Sequence, residues 1–454
     1  MRFNPSIFKD YDVRGCYPDE VNTPTFTAIA QEISLYFKPK IIAIGRDIRE
    51  SSKELSSAMI DGFTKMGVDV VDLGLISTDM IYFAAGRHNF DLSIVVTGSH
   101  AEGENGFKIV KKGAVAISGD TGLYLIRDRL LKRGEFSKTD RKGSLSKKDI
   151  LTEWIEHALS FIDLDTIKPF KIVVDAGNGM GGLVMPPVEE KLLGEFINLF
   201  FDLDGTFPNH FPNPLVEENL ADIKRKIKEV GADFGIAFDA DGDRAFFLDS
   251  YGTVINGTIL TAMMAKSILE KHKGETILYN AVCGRIVPET IKKYGGKGIR
   301  VRVGHTLIKA DMRKYNAIFA GEHSGHFYFR DNFYADSGLI ACLKVIELIS
   351  KDGRLLSEVA KEFDKYPHSQ EINFVVDDKQ EVMKALENEY LNKAVSIDWL
   401  DGISIWFSDW WFNVRPSNTE PLLRLTLEAD TQERFKDKME EVKKSILKKG
   451  AKPE

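Results

Sequence analysis

The chain has 454 residues, 43% hydrophobic and 28% charged, a length too great for one core and a balance typical of a soluble multidomain protein. Its net charge of -7 argues against a general nucleic-acid or membrane-surface binder, yet leaves room for an anionic small substrate in a locally basic pocket. Cys16, Cys283 and Cys342 lie far apart with no CxxC pair, the N-terminus lacks an apolar signal core and no run is long enough to span a bilayer, so a cytoplasmic, reduced protein is expected.

In chain order, Lys9-Asp10-Tyr11-Asp12-Val13-Arg14-Gly15 reads as a polar loop. Thr23–Phe37 carries Phe26, Ile29, Ala30, Ile33 and Phe37 at helical spacing, followed by a strand at 41–44, a helix at 55–66 and a strand at 68–73. The apolar run Leu92–Val96 opens onto a Gly-containing loop at 97–106 and returns at 107–110. Gly98 frees the backbone there, so Ser99 can be pushed towards a ligand. Residues 132–148 shift to Lys, Arg, Ser, Thr and Gly and read as a boundary or exposed linker.

A helix at 150–161 and a strand at 171–175 lead into Gly177-Asn178-Gly179-Met180-Gly181-Gly182. That hexamer matches GxGxxG, with Asp202 at the distance of a ribose-binding acid. Pro186 and Pro187 stand where the phosphate-binding helix would run, and interior proline costs about 3 kcal/mol, so a dinucleotide site is disfavoured. An amphipathic helix at 215–230 precedes Phe234–Phe238, an acidic loop and a strand at 245–248. After a helix at 259–272, the pattern returns: a strand at 317–320, the loop Gly321-Glu322-His323-Ser324-Gly325-His326 and the strand Phe327–Phe329.

Three strand–loop–strand passages imply an α/β protein with three related mixed α/β domains, at 1–149, 150–250 and 251–366. A fourth, α+β domain at 367–454 is expected from strands at 372–376, near Trp406 and at 422–427, and from a closing helix at 431–448. Asp430 and Glu433 are expected to cap that helix, with Phe435, Met439, Val442 and Ile446 on its buried face.

The loops carry distinct chemistry. Asp239, Asp241 and Asp243 place three carboxylates within five residues, and a divalent cation relieves their repulsion. Hard oxygens favour Mg2+, Mn2+ or Ca2+. An EF-hand is excluded, because Arg244 and Ser250 occupy its glycine and glutamate positions and the flanks are strands. Residues 321–326 offer a carboxylate, a hydroxyl and two imidazoles, suited to a hydroxyl-rich ligand. Arg415-Pro416-Ser417-Asn418-Thr419-Glu420-Pro421 sets a guanidinium and small polar groups between stiffening prolines, a good phosphate cradle. Each loop taken alone is also compatible with an ordinary polar turn. With a nucleophilic hydroxyl added, the set describes phosphoryl transfer on a phosphosugar.

These motifs resemble the α-D-phosphohexomutase superfamily, most closely its phosphomannomutase/phosphoglucomutase branch, along essentially the whole chain. They stand in that family's order: TGSH at 97–100 with NGFK at 105–108, DADGDR at 239–244, GEHSGH at 321–326 and RPSNTEP at 415–421. The resemblance implies four domains around a central cleft and interconversion of hexose 1-phosphate and 6-phosphate through a 1,6-bisphosphate. It implies that Ser99 is the phosphoserine and that Mg2+ is held by Asp239, Asp241, Asp243 and the phosphate on Ser99. Arg244 is expected to contact that phosphate, with Lys108 as a proton-transfer candidate and His305 as a further active-site group. Tyr11 and Arg14 match the N-terminal site loop; Glu322, Ser324 and His326 the sugar contacts; Arg415, Ser417, Asn418 and Thr419 the grip on the other phosphate. The expected partner is a phosphosugar, not a nucleic acid or a membrane, and a monomer or homodimer is expected. Phosphoglucosamine mutase is the neighbouring alternative, a sugar-phosphate-binding protein without turnover the non-enzymatic one, and an NAD-dependent enzyme the remote one.

The family usually has Asn-Pro after Ser-His, where this chain has Ala101-Glu102, and His323 also departs from the commoner residues at its position. The loop thereby loses a rigid residue and gains carboxylates at Glu102 and Glu104. Phosphoryl loss from Ser99 is expected to differ between wild type and Glu102→Pro, measured by intact mass over time; equal rates remove the idea.

Overall fold

In the computed structural model, which describes residues 3–99, 101–134, 136, 141–417 and 422–453, the chain lays down four sheets in succession. The first three share one construction. Leu92–Val96 lies parallel to Ile41–Arg46 on one side and antiparallel to Glu104–Lys111 on the other. Phe234–Phe238 sits likewise between Phe170–Asp175 and Ala245–Asp249. Phe319–Gly321 sits between Thr276–Asn280 and Phe327–Phe329. Each time a parallel strand ends, a short polar loop turns the chain and an antiparallel strand returns. The loops leave from the carboxyl ends of the parallel strands, where open α/β sheets bind their ligands.

Alternation explains why helices cover both faces of the first sheet. Ile42 and Ile44 pack with helices Thr23–Phe37 and Glu50–Lys65, while Ala43 between them packs with helix Thr78–Arg87. Asn22 caps the first helix by accepting from Thr25 N–H, with Pro24 in its first turn. The core on the Ala43 side continues through helix Leu151–Leu159 to helices Gly257–Lys271 and Gly338–Asp352 of the third unit. Fully buried Trp154 lies at this junction, its ring 5.6 Å from Phe83 and 5.8 Å from His157.

The fourth sheet is antiparallel, in the spatial order Ser396–Asp398, Ile403–Trp406, Trp410–Pro416, Leu422–Ala429, Ile372–Val375, Lys452–Pro453. Ile403, Ile405, Phe412, Leu425 and Leu427 share one core with helices Lys379–Tyr390 and Gln432–Lys448. The architecture is therefore three mixed α/β sheets followed by an α+β unit.

Local differences from the sequence expectations have physical reasons. Helix Thr78–Arg87 has no amphipathic pattern because it is buried from Thr78 to Ala85. The polar stretch at 132–148 ends in the exposed edge strand Leu145–Lys147, parallel to Asp69–Leu75; residues 135 and 137–140 lie outside the described residues. Helix Gly181–Glu189 runs on through Pro186 and Pro187, so the proline cost raised against a helix there does not prevent one. The second sheet extends to Val254–Ile255. Thr431, not Asp430, caps the last helix, its side chain accepting from Arg434 N–H, with Glu433 in the first turn.

Trp154→Ala leaves a large cavity where the first and second units meet. It is expected to lower the unfolding free energy by about 3–5 kcal/mol, seen as a drop in urea midpoint.

Candidate active site

Leu92–Val96 is buried along its whole length, so the chain can turn only where that strand ends. Ser99 stands in this turn with φ 52°, its N–H donating to Thr97 Oγ1 at 2.9 Å. A Cβ on Gly98 would lie 2.3 Å from Glu104 O, so only glycine fits there. His100 lies outside the described residues. On the return strand, opposite Val95, Lys108 reaches across to the second unit. Its ammonium donates to Asp241 Oδ2 at 2.9 Å and to Asp243 Oδ2 at 2.6 Å.

Phe234–Phe238 and Ala245–Asp249 are both fully buried and fix the acidic turn at its two ends. Asp239, Asp241 and Asp243 are at most 1% exposed, and each offers a carboxylate oxygen within 4.8 Å of the others'. Arg244 donates through Nε to Asp239 Oδ2 at 2.8 Å and through its backbone N–H to Oδ1 at 3.1 Å. Thr78, at the start of a helix from the first unit, donates its N–H to Asp241 O at 2.8 Å and its hydroxyl to Asp241 Oδ2 at 2.5 Å. Burial opposes ionisation of Asp241, but Lys108, Thr78 and Arg49 outweigh it and hold its carboxyl below the usual range. Burial pushes Asp239 the other way, with Asp243 and Asp241 adding to it against Arg244. For Lys108, burial favours the neutral amine, yet Asp241 and Asp243 prevail and keep it a cation.

Asp241 Oδ1 and Asp243 Oδ1 are buried and make no hydrogen bond among the described residues. Orphaned carboxylate oxygens beside a third carboxylate fit a hard divalent cation such as Mg2+.

The third hairpin supplies groups for a hydroxyl-bearing ligand. Glu322 accepts from Tyr328 Oη at 2.5 Å and from Asn280 Nδ2 at 3.1 Å. Ser324 Oγ is 3.2 Å from His326 Nδ1, and His326 Nε2 is 3.8 Å from Asp243 Oδ1, which joins this loop to the acidic turn. Burial pushes His326 down to about 3, so it is neutral. His305 opens helix His305–Tyr315, and burial with the neighbouring Lys309 holds it well below the usual imidazole range. Lys309 Nζ faces His305 Nδ1 at 3.4 Å and pairs with Asp336 at 2.7 Å.

Tyr11 and Arg14 border the cluster. Tyr11 donates from Oη to Val303 O at 3.2 Å and sets its ring 5.8 Å from that of His305; Arg14 Nη2 donates to Asp12 at 2.6 Å. In the fourth unit Arg415 donates to Glu371 Oε1 through Nε at 2.9 Å and Nη2 at 2.5 Å. Ser417 N–H donates to Leu422 O at 2.8 Å. Asn418 and Thr419 lie outside the described residues. Arg415 and Glu371 share a cavity of about 440 Å³ with Asn256, Asn280, His323 and Ser324.

The glycine-rich loop at 177–182 meets protein where a dinucleotide would lie. A Cβ on Gly179 would come 2.7 Å from Ala240 O, one on Gly182 2.3 Å from Phe201 O, and Met180 N–H donates to Ala240 O at 3.0 Å. The loop supports the acidic turn from behind. Sequence reasoning missed Thr78, Asp79, Lys309 and Asp336; the available signal was Lys309, four residues past His305 on one helix face.

Four family descriptions match the chain in order. They are phosphoglucomutase/phosphomannomutase alpha/beta/alpha domain I at residues 5–133, domain II at 152–252, domain III at 256–366 and the C-terminal domain at 371–445. A phosphohexose mutase of Xanthomonas campestris pv. campestris is 39% identical over 424 residues, covering 93% of this chain and 94% of its own. A phosphomannomutase of Methanocaldococcus jannaschii is 39% identical over 446 residues, covering 97% and 98%. The crystal structure of a phosphoglucomutase/phosphomannomutase family protein from Burkholderia thailandensis superposes with a TM-score of 0.91 at 30% identity, covering 99% of this chain and 98% of that one. Among the described residues no helix is long and apolar enough to cross a membrane.

Behind the acidic turn, burial raises Asp79 to about 7, opposed by hydrogen bonds from Ser337 and Ser77 and assisted by Asp243 and Asp336. A raised carboxyl pKa means that the folded chain holds a proton the unfolded chain releases. This stabilisation is complete below about pH 4 and fades as pH rises towards 7. Asp79→Asn lacks that dependence. Urea titrations from acid to neutral pH are therefore expected to favour wild type most at the acid end, by a margin that shrinks as pH rises. A constant margin would mean that Asp79 titrates alike in the folded and unfolded chain.

Proposed function

The chain belongs to the phosphoglucomutase/phosphomannomutase family and is a phosphohexomutase; from that premise we propose Mg2+-dependent interconversion of hexose 1-phosphate and hexose 6-phosphate, with mannose and/or glucose as the sugar. The route runs through phosphoserine at Ser99 and a hexose 1,6-bisphosphate. The observation carrying this reading is the Lys108 bridge, which ties the hairpin bearing Ser99 to Asp241 and Asp243 of the buried acidic turn.

Asp239, Asp241 and Asp243 would hold the cation, which supplies positive charge against the transferring phosphoryl group. The sugar hydroxyl attacks phosphorus, a new O–P bond forms and the bond to Ser99 Oγ breaks. Lys108, held protonated, takes part as a cation that offsets phosphate charge. The attacking hydroxyl loses its proton as its bond to phosphorus forms, and Ser99 Oγ takes up a proton as its own bond to phosphorus breaks; His305 and His326, which burial keeps uncharged, line the site as hydrogen-bonding groups. Arg244 adds charge beside Asp239. Glu322, Ser324 and His326 orient the sugar hydroxyls. Arg415 and Ser417, with Asn418 and Thr419 of the same loop, hold the phosphate that is not moving, while Tyr11 and Arg14 meet the substrate from the N-terminal loop, Tyr11 also donating to Val303 O of the third unit. Return transfer from the other end of the bisphosphate restores phosphoserine and completes the isomerisation.

Ser99→Ala is expected to reduce turnover by at least about 10³-fold and to remove the mass of one phosphoryl group from the intact protein. Full mutase activity in that variant would overturn the nucleophile. Chelation is expected to abolish activity in a coupled assay with hexose 1-phosphate and the bisphosphate, and added Mg2+ to restore it.

A further inference from the structure

Ser99 occupies a backbone conformation that only its surroundings can hold. A φ of 52° on a residue other than glycine is strained, and a strained turn relaxes unless other groups over-determine it. The residues after it supply little stiffness: Glu102 and Gly103 are exposed, and Gly103 has φ 70°. Beside the bonds from Ser99 N–H to Thr97 Oγ1 and from Ala101 N–H to Gly98 O, a side-chain constraint comes from Arg49, outside every motif identified in the sequence.

Arg49 precedes helix Glu50–Lys65 and is 6% exposed. Its guanidinium is oriented by Asp47, whose carboxylate accepts from Nη1 at 2.6 Å and from the Arg49 backbone N–H at 3.1 Å. Nη2 then donates to two carbonyls of the serine turn, Ser99 O at short range and Ala101 O at 3.2 Å. A Cβ on Gly98 would lie 2.9 Å from Arg49 Nε, so the turn is shaped around the guanidinium. The cation lies 5.4 Å from the ring centre of Phe207 and 6.0 Å from that of Phe211, both from the second unit. Gly205 of the same segment abuts the backbone at Ile48 and Arg49, where a Cβ would come 2.3 Å from Ile48 O. If ion pairing with Asp47 were the whole role, Nη2 would have no need to grip two loop carbonyls, those of Ser99 and Ala101. The fork geometry does both at once, which an ammonium cannot.

We propose that Arg49 is the positioning residue for Ser99: it fixes the serine's backbone through the carbonyls of Ser99 and Ala101 and, through Phe207 and Phe211, locks that turn to the unit carrying the aspartates. This rests on Ser99 as the phosphoryl carrier.

The test uses the full-length protein with Arg49→Met, Arg49→Lys, Arg49→Ala and Phe207→Leu. Hydrogen exchange of the segment 97–106 is read first, since it needs no activity. It is expected to rise about 10-fold or more in Arg49→Met, similarly in Arg49→Lys, and less in Phe207→Leu. Single-turnover phosphorylation of Ser99 by a hexose 1,6-bisphosphate, followed by intact mass, is expected to slow about 100-fold in Arg49→Met, because small misplacement of a reacting group costs that much. KM for the hexose 1-phosphate should stay within about 2-fold, since Arg49 does not touch the sugar phosphate. Free guanidinium should recover part of the rate in Arg49→Ala, and ammonium should not. Unchanged exchange in Arg49→Met overturns the proposal, as does full rescue by Arg49→Lys. If Arg49→Met does not fold, Phe207→Leu decides, and unaltered exchange and phosphorylation there overturn the link to the second unit. A wild-type protein that never carries phosphate on Ser99 defeats the phosphoserine reading, while loop exchange still reports whether Arg49 holds the turn.

Discussion

The architecture depends on one buried ammonium. Lys108 leaves a strand of the first sheet and ends between two carboxylates of the second. Two aspartates that close, with a third beside them, could not share a dry site without a cation. Removing one partner of such a pair strands the other charge, at about 3–5 kcal/mol. The serine hairpin and the acidic hairpin are therefore a single electrostatic object drawn from two domains. Thr78 repeats the link from a second direction, through backbone and hydroxyl together. Geometry at this junction is set by pairings that neither sheet could satisfy alone.

The three chemical hairpins are legible in the sequence because their strands are short apolar runs that break abruptly into polar loops. That contrast survives burial, since the loops at 97–103, 239–244 and 322–326 are where the pattern fails. The fourth sheet is equally readable, its closing helix presenting Met439, Val442 and Ile446 at helical spacing. Helix Thr78–Arg87 is hidden for the opposite reason: packed on every side, it has no polar face to give it a period. The caps and edges elude a reading by residue type, as when Thr431 rather than Asp430 accepts from Arg434 N–H.

Within the site, legibility follows clustering. Asp239, Asp241 and Asp243 declare themselves by spacing alone. Asp79, Lys309 and Asp336 are single charges separated by more than two hundred residues in part, and in a sequence they look like solvated surface groups. Only the fold gathers them behind the acidic turn, where Ser77 and Ser337 hydrogen-bond Asp79 and Lys309 pairs with Asp336. Arg49 is missed for the same reason, because its partners are backbone carbonyls and carbonyls carry no sequence signal. The glycine-rich loop misleads in the other direction: its glycines make room for Ala240 and Phe201, which are protein, rather than for a pyrophosphate.

The ion pair between Arg415 and Glu371 has a consequence for selectivity. An anion arriving in that cavity does not meet a bare cation; it meets one whose Nε and Nη2 already donate to a carboxylate oxygen. On the proposed function, docking of a phosphate there would be an exchange of anions, driven by the difference between the newcomer and Glu371. Chloride or a simple carboxylate offers nothing the resident does not, whereas a dianion with three acceptor oxygens outbids it on both charge and hydrogen bonding. On that function, the pair would act as a threshold that favours doubly charged anions over singly charged ones.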